Sequence, residues 1–87
     1  MKNRFPQTIE YYLCFPNTVT IQPMLIGTET NGIFWPDTGF EYIEYMLNKC
    51  DASLLELCHV KSSNTQDIIL VEDFIYKISK LKLKTNE

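Results

Sequence analysis

A chain of 87 residues with 45% hydrophobic and 22% charged side chains sits at the globular average, which excludes an intrinsically disordered polymer or a fibrous repeat. Its length allows one modest core, because a chain this short buries only roughly two thirds of its extended surface, so a single domain over residues 1–87 is expected. The formal net charge of −3 hides a segregation, since residues 5–76 hold ten acids against only Lys49 and Lys61 while both ends are basic.

At the start of the chain, Lys2 and Arg4 are followed by Pro6, Gln7, Thr8 and Glu10 where a signal peptide needs an apolar stretch, so export by that route is not expected. The ends, about 1–5 and 83–87, are expected to be flexible, solvated tails. Thr8–Phe15 and Val19–Ile26 are rich in β-branched and aromatic residues and flank the turn-forming Pro16-Asn17-Thr18, which predicts an antiparallel hairpin. Pro23 has no N–H to donate, which places the second strand at an edge or gives it a bulge there. Asn31-Gly32 tolerates positive φ between the apolar flanks Met24–Ile26 and Ile33–Trp35, so a third strand is expected after a loop over Gly27–Gly32 longer than two residues.

After Pro36 the period changes. Thr38 followed by Glu41 matches a capping box, and Phe40, Ile43, Met46 and Leu47 recur at helical spacing with Glu41, Glu44, Asn48 and Lys49 on the other side, which predicts a helix over about 39–49. Leu54–Lys61 fits either a helix or a buried strand, and the strand is preferred. Ser62–Thr65 reads as a loop, and Ile68, Val71, Ile75, Ile78 and Lys82 share one face of a helix expected over about 66–82. Its β-branched start leaves open a strand over Ile68–Val71 pairing with 54–61. Together these elements predict an α+β fold: a small antiparallel three- to four-stranded sheet packed against two helices, in the order βββαβα. Apolar runs such as Met24–Ile26 and Ile68–Val71 fall far short of the roughly 18–20 residues that span a bilayer, so no membrane partner is expected.

Three cysteines, Cys14, Cys50 and Cys58, are an odd number for a disulfide-stapled secreted domain and are read as reduced thiols of a cytoplasmic protein. Cys58 and His59 are adjacent, but neighbouring side chains point to opposite faces of a strand, so a thiol enzyme would need Cys14 or Cys50 to meet His59 through the fold. Zinc has the right ligand types in the three cysteines and His59 but no C-x₂₋₄-C knuckle. Gly27, Gly32 and Gly39 form no phosphate-binding loop, and no cofactor is expected. Lys77, Lys80, Lys82 and Lys84 could touch phosphates, yet the acidic body would repel the same backbone, so direct nucleic-acid binding is not expected.

Asp37-Thr38-Gly39 resembles the catalytic signature of the retroviral-type aspartic proteases, whose subunits are of comparable length. The likeness covers three residues. The apolar-apolar-Gly segment that locks the aspartate loop in that family has no counterpart, because no glycine follows Gly39. The capping box also gives Thr38 a structural role, so the tripeptide is read as the start of a helix.

The densest constellation lies between Phe34 and Asp51, where Phe34, Trp35, Phe40, Tyr42 and Tyr45 interleave with Asp37, Glu41, Glu44 and Asp51 and only Lys49 opposes the acids. Rigid rings with surrounding carboxylates suit a cationic protein partner, and Phe34, Trp35, Asp37, Glu41, Glu44 and Tyr45 are the expected partner-binding residues. The leading expectation is a small acidic binding module without catalytic activity, an inhibitor or immunity-type protein that occludes a basic surface on a nuclease or nucleic-acid-processing partner. A structural subunit that self-associates as a homodimer or in a larger assembly is the alternative, and a small thiol-dependent enzyme is the third.

Overall fold

Side-chain alternation along Thr8–Cys14 (β1) decides how the chain is layered in the computed structural model, which describes residues 7–16, 22–49 and 52–83. Ile9, Tyr11 and Leu13 point inward, the latter two being buried, while Glu10, Tyr12 and Cys14 point the other way. β1 pairs antiparallel with Met24–Thr30 (β2) on one side and with His59–Ser62 (β4) on the other. Ile33–Pro36 (β3) adds to β2, and Ile68–Leu70 (β5) adds to β4. Lys82–Leu83 (β6) pairs parallel to β3, which completes a six-stranded sheet in the order β5-β4-β1-β2-β3-β6.

The helices are Thr38–Asn48 (α1), the single turn Ala52–Leu55 (α2) and Val71–Ile78 (α3). α1 turns Gly39, Ile43 and Met46 inward, and α3 turns in Val71, Phe74 and Ile78, each a stripe at helical spacing. Phe74 meets Tyr11 at 5.0 Å and Phe34 at 6.0 Å between ring centroids, so α3 lies on the same side of the sheet as those rings. Tyr11, Leu13, Ile26, Phe34 and Val60 of the strands close one core with Ile43, Met46, Leu55, Phe74 and Ile78 of the helices. The hydroxyl of buried Tyr11 donates to Glu29 Oε1 at 2.8 Å, which satisfies the polar tip of an otherwise apolar contact.

The fold is α+β, as the sequence implies, with more strands and one more helical turn than expected. The Asn31-Gly32 turn is tight: Thr30 pairs with Ile33, and φ values of 55° and 78° mark a two-residue type I′ turn, so residues 27–30 of the longer loop expected over Gly27–Gly32 are instead strand. β2 begins after Pro23 and lies between β1 and β3, so Pro23 marks a strand start and not an edge. The irregularity in β2 falls at Ile26, since Tyr11 pairs with Gly27 and Tyr12 with Leu25. Leu54–Lys61 divides into a helical turn and a strand, with Cys58 N–H bonding the Leu55 carbonyl at 3.0 Å between them.

The helix expected over 66–82 is shorter, because Ile68–Leu70 pairs with His59–Lys61 and the helix starts only at Val71, where Glu72 and Asp73 favour its N-terminus. β6 includes residue 83, placed among the flexible ends by the sequence reading. The expected Pro16-Asn17-Thr18 turn in part, the Val19–Ile21 strand start, Cys50, Asp51 and the tails at 1–5 and 84–87 lie outside the described residues. Among the described residues no helix is long and apolar enough to cross a membrane.

Candidate functional site

Strand alternation separates the residues that the sequence places together. Phe34 is 0% exposed, with the rings of Tyr11, Phe40 and Phe74 packed around it, so it belongs to the core and offers a partner nothing. Trp35, its neighbour on β3, must point away from the core; it is 47% exposed and pairs with Thr28 on the sheet face opposite the helices. Asp37 is the N-cap of α1: its Oδ1 accepts from Thr38 N–H at 2.7 Å and from the Thr38 hydroxyl at 3.2 Å, and its own N–H donates to the Ile26 carbonyl at 2.8 Å. The cap thus falls one residue before the expected Thr38, and Asp37 serves the helix start.

Glu41, Glu44 and Tyr45 do share a surface. They lie on the side of α1 away from Gly39, Ile43 and Met46, and Tyr45 is 58% exposed. Lys49, one turn on, places its ammonium 5.7 Å from the Tyr45 ring centroid, a distance compatible with a cation–π contact. Among the described residues neither Glu41 nor Glu44 forms an ion pair. The predicted cluster therefore resolves into one core ring, one ring on the open sheet face, one cap and an acidic-aromatic patch on α1.

Beside that patch, the fold assembles a feature that no local stretch of sequence announces. Leu47 of α1, Leu55 of α2 and Val71 and Ile75 of α3 line an open groove of about 240 Å³, with Glu56 and Glu72 as its only charged lining residues among the described residues. Leu47 lies one turn after Glu44, so the groove adjoins the acidic side of α1. Its components come from three separate segments, and Leu47, which the helical spacing places on the buried stripe of α1, is instead 45% exposed at its wall.

The sheet face opposite the buried rings carries Tyr12, Cys14, Leu25, Trp35, His59 and Lys61. Here Cys14 and His59 are direct cross-strand partners, the meeting that a thiol nucleophile would require. They make no hydrogen bond to each other among the described residues. Burial pushes the Cys14 thiol up, with Lys61 lowering it less, and burial also pushes up Cys58, aided by nearby Cys14. Both are protonated at neutral pH, the form that is a poor nucleophile. Cys58 is buried on the helix side and its Sγ lies 3.4 Å from the Leu54 carbonyl, as a donor. Among the described residues no three His, Cys, Asp or Glu side chains gather as metal ligands.

No protein-family model matches this chain, and neither a curated protein nor a solved structure matches it significantly.

Proposed function

We propose that this chain is a small acidic binding module that docks its helical layer onto a basic surface of a larger cytoplasmic protein. The mode of action is occlusion, as in an inhibitor or immunity-type protein covering lysines or arginines with which a nuclease or nucleic-acid-processing protein holds phosphates. The observation that carries the reading is the outward side of α1, where Glu41 and Glu44 stand beside exposed Tyr45 without an ion pair among the described residues. Unpaired carboxylates steer a cationic surface into encounter, and a rigid ring supplies contact area at low entropic cost. The free thiols of Cys14 and Cys58 accord with a reducing compartment.

Charge reversal tests it. The double variant Glu41→Lys, Glu44→Lys, compared with the native chain in affinity capture from lysate of the source cell, is expected to lose a basic partner at least tenfold, and raised salt should weaken the native capture. An acidic partner, or equal recovery by both proteins, contradicts the proposal.

Self-association is the second reading, favoured by β5, the end strand of the sheet among the described residues, where Ile68 and Leu70 are 63% and 57% exposed. Sedimentation at micromolar concentration decides it, since a strict monomer excludes this role.

A further inference from the structure

We infer that the groove between α1, α2 and α3 seats one apolar side chain of the partner, presented between lysines or arginines. This deepens the proposed function and rests on it. The groove, at about 240 Å³, falls below the range of about 300–1,000 Å³ usual for small-molecule sites, and it is open to solvent. Such a volume suits an aliphatic side chain better than a metabolite or cofactor. Most of its wall is aliphatic: Leu47, Leu55, Leu70, Val71 and Ile75 offer no side-chain hydrogen-bond group beside the Cys58 thiol and the two glutamates, so what they bury is best apolar.

Charge selects what flanks the anchor. Among the described residues Glu56 and Glu72 line the groove and no lysine or arginine does, so an apolar residue with cations on either side meets complementary charge. A segment with acidic flanks would meet like charge. Exposed leucines extend the apolar surface around it, with Leu47 part of the groove wall and Leu54 and Leu57 on either side of Leu55 and Glu56 in the chain. A buried anchor in a small pocket, bordered by polar contacts, is the usual arrangement of a protein–protein hot spot.

The test titrates three probes, acetyl-Lys-Leu-Lys-amide, acetyl-Lys-Ala-Lys-amide and acetyl-Glu-Leu-Glu-amide, into the isotope-labelled full chain and follows its amide resonances by NMR. The lysine-leucine probe is expected to shift Leu47, Leu55, Glu72 and Ile75, and to bind roughly tenfold more tightly than the alanine probe, because a leucyl group is desolvated. The glutamate probe should leave those resonances in place. No shift at these residues with the lysine-leucine probe, or equal shifts with all three, overturns the inference.

Leu47→Ser, at a half-exposed position that leaves the core filled, separates this inference from the reading beneath it. Roughly tenfold weaker partner capture by Leu47→Ser supports the groove. If Leu47→Ser captures the partner normally while the charge-reversal variant does not, the groove inference fails and the acidic surface stands. If both capture normally, both fail.

Discussion

Gly39→Ala sets two opposed effects against each other, and the structure decides the sign. On helix propensity alone, alanine in α1 should stabilise by about 1 kcal/mol. Yet a Cβ at Gly39 would lie 2.7 Å from the Leu25 carbonyl oxygen and 3.0 Å from Ile26 Cα, both backbone atoms of β2. β2 is held between β1 and β3, so the strand cannot retreat and the helix must move instead. Ordinary contact at 3.4 Å needs a displacement of roughly 0.7 Å, enough to stretch the 2.8 Å bond from Asp37 N–H to the Ile26 carbonyl and to loosen Ile43 and Met46. Overpacking costs about 1–3 kcal/mol and a weakened hydrogen bond about 0.5–1.5 kcal/mol, so the net effect is a loss of about 0.5–3.5 kcal/mol after the propensity gain is deducted. For 87 residues, with a total stability of about 4–13 kcal/mol, that is readily measured by urea denaturation followed by circular dichroism. A variant as stable as the native chain, or more stable, would refute the seating of α1 on the β2 backbone.

Two further outcomes follow from the same structure. Phe34→Ala should cost about 3–5 kcal/mol, and Trp35→Ala no more than roughly half as much, because about half of that side chain is already in water. Equal losses in thermal denaturation would contradict the opposite orientation of these neighbours. Raising the pH should destabilise the fold, because burial raises Cys14 and Cys58 above their ordinary 9.0 and raises Tyr11 above 10.0. The unfolded chain then releases protons first, so this contribution is intact below about pH 9 and is lost as pH climbs through the folded values. A urea midpoint unchanged between pH 8 and pH 11 would contradict it.

What was legible in the sequence was local. The strand at Thr8, the Asn31-Gly32 turn and the helix after Pro36 each carry their own signal: alternation, positive-φ tolerance and 3.6-residue spacing. Ile68 and Ile69 fit a helical stripe and a strand equally well on paper, and only their pairing with Lys61 and Val60 resolves the choice. β6 depends on a parallel partner 49 residues away, from Lys82 back to Ile33, and is invisible to local pattern. Phe34 and Trp35 are chain neighbours but not surface neighbours, since they point to opposite sides of β3. Glu41, Glu44 and Tyr45 do lie on one surface, because they obey one helical period. The groove was missed because Leu47, Leu55 and Ile75 meet only once three helices pack on one sheet face.

Hydrogen exchange of the chain with and without its captured partner tests the docking surface most directly. Slowed exchange should concentrate in Glu41–Lys49 and Leu70–Tyr76, with Tyr12–Cys14 and Ile33–Trp35 unchanged. Protection of the β1 and β3 segments alone would put the partner on the open sheet face and contradict docking through the acidic helical layer.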